Sequence, residues 1–139
     1  MTVYQYGQFT PEHVQTIRKG IELYNAGKFW ECHEELEDHW LEDTMDNARN
    51  VYWAVIQAAA CLYHYENKNL AGARGLILKA KEKLLRCEKL KSETPLVYKF
   101  LSWEIFKSII RKIPNDPSIE DFFELYQFKF SNPRNWEVE

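Results

Sequence analysis

The chain has 139 residues, 45% of them hydrophobic and 15% aromatic, with a formal net charge of −3 and a pI near 5.8. That length suits one domain with a real core rather than a disordered segment, and the acidic balance argues against a general nucleic-acid binder, which carries a basic footprint. The first residues lack the charged and apolar regions of a signal peptide, and no apolar run approaches the ~18 residues of a membrane span. Three scattered cysteines, Cys32, Cys61 and Cys87, form neither a C-x-x-C pair nor an even disulfide set. The expectation is a single cytoplasmic domain over residues 1–139, with small buried cysteines and neither membrane nor nucleic acid as partner.

Helix signals dominate the chain. Thr10-Pro11-Glu12 reads as an N-cap, a proline at the first helical position and an acid in the first turn. This helix continues through Val14, Ile17, Ile21 and Tyr24 and stops at Gly27. A second runs over about 28–42, and the stretch from Asp43 to Asn47 supplies the next break. The third, about 47–67, has no charged residue from Val51 to Tyr65 and contains Ala58-Ala59-Ala60. A helix apolar on nearly every side is buried on nearly every side, and alanines let its neighbours approach closely. It is therefore expected at the centre.

After a turn at Asn67-Lys68-Asn69, a fourth helix over about 70–90 points Leu70, Ala73, Ile77, Ala80 and Leu84 inward. Thr94-Pro95 repeats the cap signal and opens a fifth helix to about Arg111, ended by Pro114 and Pro117. The run from Ser118 to Asp121 caps one more short helix carrying Phe122, Phe123, Leu125 and Tyr126. The tail from Phe128 to Trp136 is too aromatic for water, so it should pack on the bundle or serve a homodimer or protein partner. Segments 24–32 (YNAGKFWEC) and 65–73 (YENKNLAGA) align, each crossing a helix end, a turn and a small residue. The expected fold is all-α, a bundle of five to six helices arranged as stacked antiparallel hairpins.

The residues able to do chemistry concentrate in His33-Glu34-Glu35-Leu36-Glu37-Asp38-His39-Trp40. At about 100° per residue from Phe29, the side chains of Phe29, Cys32, Leu36 and Trp40 fall within about 60° of one direction. His33 lies near 40° and Glu37 near 80° on the same wheel, so the two are neighbours at the edge of the core face. Glu31, Glu34, Glu35 and Asp38 read as a solvated acidic face. A carboxylate beside an imidazole favours the imidazolium while burial opposes it, an arrangement suited to proton transfer near neutrality. His33 and His39 are about 120° from superposition, so this is not the zinc-protease arrangement, which needs both rings on one face.

On the third helix Trp53, Gln57, Ala60 and His64 follow a 4-3-4 spacing. This polar stripe is expected inside the apolar core, where the buried Gln57 and His64 need partners, and the preceding antiparallel helix offers His33 and Glu37. The expectation is a facing cluster of His33, Glu37, Gln57 and His64, lidded by Trp30 or Trp40. As a site it would bind a small molecule and move a proton, with hydrolysis one reaction within its reach. His33 is the base, Glu37 its orienting partner, His64 a further catalytic candidate that also hydrogen-bonds the ligand, Gln57 a ligand contact and Trp40 an apolar wall.

The alternative is a protein-binding or scaffold module in which the cluster only fixes helix register. Bundles also build metal sites from facing His and carboxylate, but the Glu-x-x-His pattern is missing, and whether a metal binds stays open. No Gly-rich phosphate loop, dinucleotide fingerprint or nucleophile elbow calls for a cofactor. Lys79, Lys83 and Arg86 form a basic stripe that reads as a solvated outer face of the fourth helix.

The segment GKFWECHEELEDHW resembles the opening motif of the domain of unknown function 309 family: a histidine, three residues, a glutamate, two residues and a tryptophan, here His33, Glu37 and Trp40. The stretch VIQAAACLYHYENKNLAGARGLILKA resembles the same family's second block at Gln57, Ala58, Ala59, Tyr63, His64, Asn69, Gly72 and Ala73. The likeness covers about residues 18–85, with the C-terminal helices and tail, about 94–139, beyond it. It implies a small all-helical bacterial protein and no particular reaction. Two positions depart from it, Ala54 and Lys68, where the family tends to have glycine.

Overall fold

The computed structural model describes residues 3–42 and 45–137. α1 (Pro11–Asn25), α2 (Phe29–Glu42), α3 (Arg49–Glu66) and α4 (Leu70–Lys89) follow one another as three hairpins. Each pair is antiparallel because the turn between its helices is short. At the α1–α2 turn Tyr24 meets Phe29 at 5.3 Å. Trp30 and Trp40 of α2 meet Tyr63 and Trp53 of α3 at 5.2 and 4.6 Å. α5 (Pro95–Leu101) packs on α1, and α6 (Trp103–Lys112) packs on α4 and on the short α7 (Phe123–Gln127). The break expected between the second and third helices begins at Asp43 and Thr44, outside the described residues.

α3 is the centre, with Val51, Ala54, Val55, Ala58, Ala59 and Leu62 all fully buried. Burial is not uniform around it, however. Trp53, Gln57 and His64 are half-buried, and Ala60 is 7% exposed where Ala58 and Ala59 are sealed. The 4-3-4 stripe is thus a strip of α3 left open between α2 and α4, rather than a stripe inside the core.

The helix expected from Pro95 to about Arg111 is two helices, which raises the α-helix count to seven among the described residues. Ser102 breaks it with a left-handed backbone, φ 46° and ψ 44°. The reason is geometric. In one continuous helix Val97, Phe100 and Leu101 would point about 180° away from Trp103, Phe106, Ile109 and Ile110. All seven are buried, and only a break lets both sets face one core.

The tail lies on its own bundle. Asn25 clamps Phe130 by accepting from its amide at 2.9 Å and donating to its carbonyl at 3.0 Å. Arg18 donates to the Pro133 carbonyl and lies over the Trp136 ring. Phe130 and Trp136 are buried by these contacts, so they are not free aromatic surface for another chain. The three cysteines are buried and free; burial pushes the Cys61 and Cys87 thiols up to about 12 and Cys32 higher still, which leaves them unreactive.

A buried ion pair ties α6 to α5 and to the turn that follows α4. Lys107 on α6 donates to Tyr98 at 2.9 Å and lies 3.0 Å from Glu93, which also accepts from the Trp103 indole. Burial lowers the Lys107 pKa, but its hydrogen bonds to Tyr98 and Glu93 outweigh that and hold the ammonium above the ordinary 10.5. Its contribution is therefore complete below the ordinary lysine range and fades as pH rises through the raised value. Lys107→Met should cost about 2 kcal/mol in urea melts near neutrality, with the gap to wild type closing above pH 10.5. A second expectation concerns Lys68, held at φ 59° where glycine is at ease. Lys68→Gly should raise stability by about 0.5–1 kcal/mol, read from the urea midpoint.

Candidate functional site

His33 and Glu37 leave α2 on the side that faces the open strip of α3. His33 Nε2 lies 3.2 Å from Glu37 Oε2, with the imidazole side chain 21% exposed and the carboxylate 45%. The Trp30 indole stacks on the imidazole at 4.9 Å and 16°, so Trp30 is the lid of this pair. His33 Nδ1 is buried with no hydrogen-bond partner among the described residues. That nitrogen is sealed from solvent, while Nε2 lies toward Glu37, the half-exposed member of the pair.

The cluster expected from the sequence divides in two. Trp30–Tyr63 and Trp40–Trp53 bracket His33 and Glu37 between them, on the side of Gln57, yet no hydrogen bond crosses from α2 to Gln57 or His64 among the described residues. His64 serves the α3–α4 turn instead. Asn69 caps α4 by accepting from the Gly72 amide at 3.0 Å, and its other end donates to His64 Nδ1 at 3.1 Å. Gly72 is required here, since a Cβ would stand 2.8 Å from the His64 ring and 2.7 Å from the Asn69 amide. Gln57 takes no partner among the described residues.

Trp40 and Trp53 form a second structure on the same face. Arg49 lies over Trp40 at 4.6 Å, Lys83 Nζ over Trp53 at 3.5 Å, and Arg86 near Trp53 at 5.8 Å. Lys83 is buried, 6% exposed, so the outer basic stripe expected on α4 is not all solvated. A signal existed: with Ala80 at zero, Lys83 falls about 60° away, beside Leu84 and Cys87 on the inward face. Trp40 Nε1 is also buried without a partner.

A cleft of about 550 Å³ lies elsewhere, between the α1 N-terminus and the ends of α2 and α3, with His13, Asp46, His39 and Arg49 in its lining. Sequence reasoning missed His13, which stands where a capping box ordinarily has Glu or Gln. The Thr10 amide donates to His13 Nδ1 at 2.9 Å, so Nε2 carries the proton and donates to Asp46 at 2.7 Å. Asp46 also accepts from the Ala48 amide, and His39 pairs with Glu35 at 2.8 Å. Polar groups in that cleft satisfy each other, whereas His33 Nδ1 and Trp40 Nε1 have no partner among the described residues; the α2–α3 strip is the better candidate for that reason. No group of three or more His, Cys, Asp or Glu able to hold a metal occurs among the described residues, and no helix is long and apolar enough to cross a membrane.

Residues 17–76 match the model of a domain of unknown function, DUF309. Over that segment the chain is similar to the DUF309 family. An uncharacterized protein of Bacillus subtilis (strain 168), YpuF, is 37% identical over 57 residues, covering 41% of this chain and 33% of that protein. The chain thus spans about a third of the length of that curated relative. No solved structure matches. The DUF309 segment holds His33, Glu37, Trp40, Trp53, Gln57 and His64 and stops inside α4, before Lys83.

The turn geometry is directly testable. Gly72→Ala should push His64 and Asn69 apart and lower stability by about 1–3 kcal/mol, through overpacking and loss of the cap. The check is a urea melt, with the His64 ring resonances moving in the same variant.

Proposed function

We propose that the open strip between α2 and α3 binds a small molecule and exchanges a proton with it through the Glu37–His33 pair. The observation that supports this reading is that the pair makes no hydrogen bond to another helix among the described residues. A polar group kept to fix register bonds across an interface. His33 bonds only within α2, where an i,i+4 pair stabilises a helix by about 0.2–0.5 kcal/mol. The geometry exchanges the roles expected from the sequence. Nδ1 is sealed and Nε2 faces Glu37, so Glu37 is the group that meets a ligand, and His33 orients the carboxylate and holds its proton partner. Gln57, one turn from Trp53 on the strip, supplies a neutral donor and acceptor, and Trp40 walls one end.

A second reading has one observation in its favour. Trp30 and Tyr63 lie side by side, 44% and 36% exposed, and such an aromatic pair suits a protein segment laid across the strip.

His33→Gln separates these readings from a purely architectural histidine. On the small-molecule reading its thermal midpoint stays within about 3 °C of wild type, and a fall of about 5 °C or more returns His33 to the core. A thermal-shift panel of small acids, amides and amines should contain compounds that stabilise wild type but not Glu37→Gln. A panel without any, alongside a Trp30→Ala variant that no longer binds a partner protein captured by wild type, would favour the second reading.

A further inference from the structure

Two lysines are buried among the described residues, Lys83 and Lys107, and their surroundings differ. Lys107 has Glu93, Glu88 and the Tyr98 hydroxyl around its ammonium. Lys83, 6% exposed, has an indole face and one carboxylate, that of its sequence neighbour Glu82, 3.3 Å away and itself 60% exposed. Lysine is almost never buried so completely without a pairing partner, because withdrawing an ammonium from water is costly unless an opposite charge compensates. The Trp53 face recovers part of that cost. It cannot neutralise the charge.

The groups around Lys83 have the same unfilled valence. Trp40, packed on Trp53 at 4.6 Å, has a buried Nε1–H with no acceptor. Gln57, one helical turn from Trp53 on the open strip, has an unpaired amide. Arg86 lies 5.8 Å from the Trp53 ring and Arg49 4.6 Å from the Trp40 ring, and neither is in an ion pair among the described residues. Apart from the Gln57 amide, which offers both a donor and an acceptor, these groups are donors or cations. Glu37 is the nearby acid on α2, and His33 is its partner. A buried indole N–H without an acceptor, beside a buried lysine with one exposed carboxylate partner and two arginines outside any ion pair among the described residues, is complementary to a ligand rich in acceptors and negatively charged.

We infer that Lys83, with Trp40 Nε1 and Gln57, forms an oxyanion subsite of the strip between α2 and α4, and that the ligand is a small molecule bearing a carboxylate or phosphate. This rests on the proposed function and adds its substrate class. The anion meets Lys83 and the indole N–H at the Trp53 end, while the rest of the molecule lies toward Glu37. The ring faces of Trp40 and Trp53 are already occupied by Arg49 and Lys83, so the indoles hold cations in place and a flat ring on the ligand is not required. The stack also fixes the donors before the ligand arrives, which reduces the ordering cost of binding.

The test is a titration of the protein with inorganic phosphate and, separately, with acetate, at constant pH and ionic strength. The indole N–H resonances of Trp40 and Trp53 report it, assigned through Trp40→Phe and Trp53→Phe. One of the two anions, or both, should shift the Trp40 signal saturably, and which one does so identifies the headgroup. Lys83→Met should bind at least tenfold more weakly while melting at or above the wild-type temperature, and Lys83→Arg should retain binding. A linear shift with both anions, or equal affinity in wild type and Lys83→Met, overturns the subsite. A Lys83→Met protein that melts well below wild type also overturns it, since the lysine is then architectural. Glu37→Gln separates the two proposals: it should still bind the bare anion, so anion binding without any Glu37-dependent ligand leaves the subsite standing and removes the proton-transfer reading.

Discussion

The structure depends on one requirement, that the uncharged middle of α3 be taken out of water. An 18-residue helix with Val51, Val55, Ala58, Ala59 and Leu62 at its heart has little stability alone and gains it by packing. The chain covers it with the two helices nearest in sequence, α2 before and α4 after. Short turns make both antiparallel to it, and small side chains allow the close approach: Gly20 leaves room for Leu36 between α1 and α2, and Gly72 does the same for His64 between α3 and α4. Two flanking helices cannot enclose a third completely. The side they leave open carries Trp53, Gln57 and His64, and on the reading proposed above the ability to meet a ligand follows from how α3 is covered.

Polar side chains in the molecule fall into two groups by how well they are satisfied. The first binds backbone or an opposite charge and has an architectural purpose that can be named. Asn25 holds the tail at Phe130, Thr94 donates to the Phe9 carbonyl at 2.7 Å, and Glu93 collects Lys107 and Trp103. The second group lies along the strip between α2 and α4: His33 Nδ1 and Trp40 Nε1 are buried without partners among the described residues, and the buried Lys83 ammonium has only the exposed Glu82 carboxylate opposite it. Buried polar groups without partners cost stability, and a fold retains such costs most readily where another molecule supplies what is missing. Position in the fold and satisfaction thus point to the same face by separate arguments.

Helix positions were legible in the sequence because caps and periodicity are local properties. Thr10-Pro11, Asn69 and Thr94-Pro95 mark three helix starts, and the lack of charge between Val51 and Tyr65 marks the centre. The break at Ser102 was hidden because each half of 95–112 is a sound helix by itself. Only the opposed directions of Val97 and Phe106 betray it, and those matter only once both must reach one core. For the site, the wheel brought His33, Glu37 and Trp40 to one edge of α2, which depends on one helix. It could not show that His64 would be drawn into the α3–α4 turn by Asn69, because that follows from the turn's shape at Lys68 and Gly72. Lys83 was read by its charge rather than by its angle, although Ala80, Leu84 and Cys87 fix its direction inward.

The family segment gives this division a further meaning. Residues 17–76 contain α2, α3 and the first part of α4, and so the His33–Glu37 pair, the Trp40–Trp53 contact and Gln57. The Lys83 end comes from the second part of α4, which the later elements hold in place: α6 packs on it, and Lys107 and Arg111 reach its Glu88. On the reading proposed above, one part of the chain holds the group that exchanges a proton and another holds the group that receives the ligand's charge. Lys83 stands on the same rigid helix as Gly72, whose close approach to His64 sets how α4 lies against α3. The spacing between carboxylate and ammonium is thereby fixed by helix packing rather than by a loop, which is the condition for selecting a ligand by its length as well as by its charge.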